Sequence, residues 1–122
     1  MVHAVRALRG ATTIAVDTED EINVRVRALL REMLARNAVK KDDIISIVFT
    51  ATDDVTALFP ATAARAMGLG DVPLLCAREL SVKEGTPLCI RVLMHVTTEK
   101  QRSELRHVYL EGARHLRDDL PG

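Results

Sequence analysis

The stretch Leu88-Cys89-Ile90-Arg91-Val92-Leu93-Met94-His95-Val96 decides how the rest of the chain is read. It is an almost unbroken apolar run with β-branched residues, the pattern of a buried strand. Alternation puts Ile90, Val92, Met94 and Val96 on one face and Cys89, Arg91, Leu93 and His95 on the other. The first face is a plain core surface. The second carries a permanent cation with several donors and no acceptor, whose burial costs desolvation unless an anion meets it. Arg91 is therefore either a structural arginine paired with a buried carboxylate or a ligand arginine left open for an external anion. The strand alone does not choose between them.

Size and composition narrow the setting. A chain of 122 residues fits one domain, spanning 1–122. Hydrophobic residues at 48% and charged residues at 28% belong to a globular protein. Aromatics are only 2%, Phe49, Phe59 and Tyr109, so the core is aliphatic and there is no platform for stacking bases. Lys plus Arg and Asp plus Glu both number 17, a balance that argues against a nucleic-acid partner. No run has the length of a membrane span, and Met1 to Arg6 lacks the apolar stretch of a secretory leader. With Cys76 and Cys89 as the cysteines, reduced thiols and a cytoplasmic location are the expectation.

Outward from the Arg91 strand, the chain reads as alternating elements. A first strand is expected over Val2 to Leu8, followed by Gly10-Ala11-Thr12-Thr13, with Arg6 and Arg9 on opposite faces unless Gly10 marks a bulge. Thr18 and Glu21 have the spacing of a capping box, and Ile22, Val26, Leu29, Leu30, Met33 and Leu34 fall on one helical stripe. The arginines on that helix read as a solvated face, and Asn37 ends it. Ile44 to Thr50, apolar on both faces, is read as a central strand. Pro60 suits the first position of a short helix that Gly68 closes. Val72 to Ala77 is a third strand, and Pro73 suggests an edge. His107 to Leu110 fits a short fifth strand or part of a helix, and Glu111 to Leu116 a last helical turn. Residues 117–122 read as a mobile C-terminal tail. This order implies an α+β fold: a mixed β-sheet with two helices on one side, its other face left for a homo-oligomer to bury.

Elimination says little more. There is no glycine-rich phosphate loop, no nucleophile elbow and no helical histidine pair, so a metal site is not expected. Cys76 reads as a small apolar residue, with a Cys–His nucleophilic pair left open. Arginines near strand ends, with Glu79 and Tyr109, suit holding an anion better than moving protons.

Arg9-Gly10-Ala11-Thr12-Thr13 resembles the opening motif of the monofunctional, trimeric AroH-class chorismate mutases. Phe59-Pro60-Ala61 with Arg65, Cys76 with Glu79, Cys89-Ile90-Arg91-Val92 and Arg106-His107-Val108-Tyr109-Leu110-Glu111 follow in that family's order and approximate spacing, across nearly the whole chain. The resemblance implies a Bacillus chorismate mutase-like fold. It implies a homotrimer whose sheets form a barrel-like core, with active sites between subunits. It also implies cofactor-free rearrangement of chorismate to prephenate, a shikimate-pathway step toward aromatic amino acid biosynthesis. By position, Arg91 resembles the arginine at the ether oxygen and enolpyruvyl carboxylate, and Arg9 and Tyr109 further partners of that carboxylate. Glu79, with Cys76 beside it, resembles the acceptor for the ring hydroxyl. Leu74, Leu75 and Leu116 would add apolar or backbone contacts. Phe59, Ala61 and Arg65 are similar to residues that a neighbouring subunit contributes, and Arg117 to a tail residue over bound ligand. Thr62 stands where relatives often carry a lysine. The alternative is a trimeric reactive-intermediate deaminase-like or small-anion-binding protein, which also sets an interfacial arginine against a carboxylate. A third reading is a structural trimer module whose arginines pair internally.

Overall fold

The computed structural model describes residues 3–116; the tail over 117–122, with Arg117, lies outside them. The element order is β1 (Ala4–Thr13), α1 (Glu19–Arg36), β2 (Ile44–Ala51), α2 (Pro60–Ala64), β3 (Leu74–Arg78), β4 (Cys89–Thr98) and β5 (Val108–Tyr109). The strands form one five-stranded sheet in the order β3-β2-β4-β1-β5. β4 runs antiparallel to β1 and β2, while β3 and β5 lie parallel to β2 and β1 at the edges. The sheet is thus mixed, as expected. Its middle strand is β4 rather than β2, which is interior but second from the edge.

The expected alternation of β4 holds: Ile90, Val92, Met94 and Val96 are buried, whereas Arg91 and Leu93 are exposed. The buried face joins Leu8, Ile47 and Phe49 in one apolar cluster with Ile22, Val26, Leu29, Leu30 and Met33 of α1 and Ala61, Ala63 and Ala64 of α2. Both helices therefore cover the same side. Full burial of each large aliphatic side chain stabilises the fold by about 1.5–3 kcal/mol.

Where the first strand ends is a correction. β1 runs on through Gly10 to Thr13, in unbroken register with β4, so Gly10 marks neither a turn nor a bulge. A Cβ at Gly10 would collide with Met33 Sδ and lie 3.2 Å from Leu29 Cδ1. The glycine is there because α1 presses onto the strand at that point. Its flexibility in φ is not the reason.

Helix α1 starts as read, with Thr18 Oγ1 accepting the Glu21 amide at 3.2 Å. The return arm of the box differs. Glu21 Oε2 accepts from the Ala15 amide at 2.7 Å and pairs with Arg25, so it fastens the incoming loop instead of Thr18. The helix arginines are also less solvated than expected: Arg25 bridges Glu21 and Glu111, and Arg27 Nη2 donates to the Ala66 carbonyl. Asn37 does more than end the helix. Its buried amide donates to the Met33 and Arg106 carbonyls at 2.8 Å and accepts the Arg106 amide at 2.7 Å, tying the chain ahead of β5 to α1. Pro60 opens α2, and a π turn over Arg65–Leu69 closes through Gly68 at φ 90°, a left-handed conformation that glycine adopts without strain.

Asp17, before α1, accepts from the Thr56 amide and hydroxyl and from the Ala57 amide. The Thr56 hydroxyl is the main reason its carboxyl titrates below the ordinary 3.8.

Gly10→Ala should destabilise the protein by about 1–3 kcal/mol, read by urea unfolding, because the added Cβ must displace the fully buried side chains of Met33 and Leu29. The folded state lowers the Asp17 pKa, so its contribution is complete above the unfolded value and is lost as pH falls through the folded one. In urea titrations Asp17→Asn should be less stable than wild type at neutral pH, and the gap should close below 3.8.

Candidate active site

The sheet face turned away from the helices holds a cavity of about 400 Å³, lined by Arg9, Val48, Thr50, Glu79, Arg91, Leu93 and Tyr109 among others. That volume suits a small organic ligand. Register explains who meets whom, since directly opposed residues share a face. Arg91 lies opposite Ala11 of β1 and Thr50 of β2, and Arg9 opposite Leu93. Ala11 in turn faces Tyr109 of β5. Arg9 therefore points where Arg91 points, while Arg6, opposite Val96, belongs to the helix side. Glu79 follows β3, but its amide donates to the Ala51 carbonyl at 3.0 Å and prolongs that ladder by one residue. This puts its carboxylate on the cavity side, next to Thr50.

Arg91 does have an acid partner. Its Nε lies 3.0 Å from Glu79 Oε2 in an ion pair, and the same oxygen accepts from Thr50 Oγ1 at 2.9 Å. The pair is not a buried structural bridge. The Arg91 and Glu79 side chains stay 46% and 25% exposed. A pair so open to water contributes only about 0–1 kcal/mol. What it does is fix the guanidinium by its Nε edge and orient it in the cavity wall. The remaining Glu79 oxygen accepts the Leu80 amide at 3.3 Å and has lone pairs to spare.

Tyr109 supplies a second indication. Its hydroxyl is buried and has no hydrogen-bond partner among the described residues. Leaving such a group unpaired costs about 1–3 kcal/mol, which a polar ligand would recover. Beside Arg91 lies Cys89, whose thiol is pushed up in pKa by burial, against the pull of the neighbouring guanidinium.

Within one chain the remaining candidates stand elsewhere. Cys76 is not beside the Glu79 carboxylate in this cavity. It lies opposite Phe49 in register, on the helix side of the edge strand. It lines a separate groove of about 480 Å³ with Phe59, Pro60 and Arg78. Phe59 is 70% exposed there, Arg65 is exposed and Ala61 buried in α2. Leu74 packs toward the helices, and Leu75 is 62% exposed on the bare sheet face. Leu116 is half-buried after the last turn.

Several contributors carry no mark in the sequence. Thr50 holds Glu79. Asp17 and Arg78 hold the loop that presents Phe59, Arg78 Nη1 donating to the carbonyls of Ala51, Thr52 and Val55. Each acts on a segment distant in sequence, which local periodicity does not reveal.

Compared with known proteins, the chain matches the family model of chorismate mutase type I over residues 5–120. It is 42% identical over 117 residues to chorismate mutase AroH of Bacillus subtilis, covering 95% of this chain and 92% of that protein. To chorismate mutase AroH of Thermus thermophilus it is 44% identical over 117 residues, covering 95% and 96%. The solved structure of a chorismate mutase from Clostridium thermocellum superposes with a TM-score of 0.88 at 49% identity, covering 89% of this chain and 97% of that one.

The two thiols give a test of the geometry. Burial raises the Cys89 pKa, so its thiolate should form only above the ordinary thiol range. In Cys76→Ser, a thiol reagent should leave Cys89 unmodified until the protein is unfolded, and raising the pH to 9 should not change that. Rapid labelling of the native variant would contradict the packing.

Proposed function

Because the chain belongs to the chorismate mutase type I family, we propose that the Arg91 cavity is where it rearranges chorismate to prephenate, with a second copy completing the site. The chain is a chorismate mutase, and so an isomerase. The reaction is unimolecular and pericyclic: a carbon–oxygen bond breaks as a carbon–carbon bond forms. No group leaves the molecule, so the chemistry needs no acid, base or nucleophile from the protein. It needs a folded substrate and stabilisation of the charge that grows on the ether oxygen as that bond opens.

Arg91 meets that charge. Its guanidinium is oriented before the reaction begins, so it stabilises the transition state more than the ground state without reorganising. The observation that carries this reading is the contact to Glu79 through Nε in a pair that stays open to water, so the guanidinium is oriented and still accessible in the cavity wall. Arg9 and the unpaired Tyr109 hydroxyl clamp the enolpyruvyl carboxylate, and the free lone pairs of Glu79 receive the ring hydroxyl. Together these hold the compact shape from which the rearrangement proceeds.

Charge supports a shared site. Two guanidiniums face one carboxylate in the cavity of a single chain, while the substrate carries two carboxylates. Arg65 from a neighbouring copy restores the balance, in company with Phe59 and Ala61, while Cys76, Leu74 and Leu75 add apolar or backbone contacts. The bare sheet face, with Val5, Leu75 and Leu93 exposed, is the surface that three copies bury in a homotrimer. Leu116 adds a further apolar or backbone contact to the ligand. A cytoplasmic location accords with two free thiols and the metabolic role; no described helix is long and apolar enough to cross a membrane. The deaminase-like alternative is set aside, because the matched family and relatives are chorismate mutases.

Purified protein should consume chorismate without added metal or cofactor, followed by the loss of its absorbance, and sediment with the mass of three chains. Arg91→Lys keeps the charge but loses the planar fork and the Nε contact to Glu79. Its kcat should fall by about 10²–10³ with the assembly intact. Near-normal turnover in that variant would mean that the ether oxygen is stabilised by some group other than Arg91.

A further inference from the structure

The chain ahead of β5 is joined to β1 by a bond outside the ladder. The Arg9 amide donates to Nδ1 of His107 at 2.9 Å. The parallel register begins one residue later, Gly10 with Val108 and Ala11 with Tyr109, and continues as the Leu110 amide donates to the Ala11 carbonyl at 2.9 Å. At Arg9 an imidazole nitrogen thus fills the acceptor position that a carbonyl of a longer β5 would occupy. From the other side Asn37 brackets Arg106, accepting its amide at 2.7 Å and donating to its carbonyl at 2.8 Å. A strand of two residues makes few ladder bonds of its own. Its placement therefore depends on these side chains.

We propose that His107 is a positioning residue for the rearrangement. Its Nδ1 bond sets β5 against β1, and with it the span between the Arg9 guanidinium and the Tyr109 hydroxyl that clamp the same carboxylate. The assignment rests on the Arg91 cavity being the place of the rearrangement. His107 does not line that cavity; it lies in an adjoining hollow that shares Arg9 and Leu93. It acts through Arg9 and Tyr109 and touches no reacting atom.

The geometry says which substitutions preserve the function. Nδ1 is bonded to Cγ, the place that Oδ1 of asparagine takes. The side-chain oxygen of glutamine sits one atom further out, where Nε2 is. Asparagine keeps the acceptor for the Arg9 amide, whereas glutamine and alanine do not.

The experiment compares wild type with His107→Asn, His107→Gln and His107→Ala. It measures chorismate kinetics, hydrogen exchange at the Arg9 amide and sedimentation of each protein. His107→Asn should keep kcat/KM within about threefold of wild type and keep the amide protected, while the other two lose ~10–10² in kcat/KM, mainly in kcat, as expected for misaligned but bound substrate. Wild-type kcat/KM in His107→Ala with protection lost would show a merely structural bond and overturn the proposal. An asparagine variant no better than the glutamine variant would overturn the Nδ1 assignment. A wild type that leaves chorismate untouched would overturn the functional reading itself and this role with it, whereas the exchange data report the bond in either case.

Discussion

The contact between Arg91 Nε and Glu79 Oε2 draws on most of the architecture. It spans the strands β4, β2 and the prolonged end of β3, with Thr50 between them binding the same carboxylate oxygen. It forms only because parallel pairing of β3 with β2 and antiparallel pairing of β2 with β4 bring Ala77, Thr50 and Arg91 into line. As a stabilising interaction an exposed pair is nearly neutral. Its effect is orientation: it holds a cation in the wall of the cavity.

The opposite face of the sheet makes that arrangement possible. A continuous aliphatic core beneath β1, β2 and β4, sealed by α1 and α2, leaves the cavity face free to carry charged and exposed groups. Gly10 shows how closely the two faces are coupled. The absence of a side chain there lets α1 settle onto β1 through Met33 and Leu29, directly behind the strand that carries Arg9 and Ala11.

At the sheet edges the ladders are short, and side chains take over. Asn37 and His107 fasten the chain ahead of β5, Glu21 the loop before α1, and Asp17 and Arg78 the loop before α2. Each satisfies main-chain donors or acceptors at or beyond the ends of the ladders, as buried and half-buried polar groups require. The same bonds determine where Tyr109 and Phe59 stand, so the edges of the sheet and the walls of the cavity are one structure.

Much of this was legible in the residues. The alternation of β4, the stripe and N-cap of α1, the Pro60 start and Gly68 stop, and the edge position of β3 all come from local periodicity and backbone preference, which neighbouring residues express. The motifs around Arg9, Arg91 and Tyr109 were likewise visible as a family resemblance. Pairings across strands were not. That Cys76 turns toward the helices while Glu79 turns toward Arg91, that Gly10 serves packing, and that Asn37, Asp17 and Thr50 hold distant segments all depend on register and strand order. Those are set by the whole core choosing one arrangement, and a one-residue slip would exchange the faces. Local pattern determines which side of each element is buried; only the assembled sheet decides which partner each side chain meets.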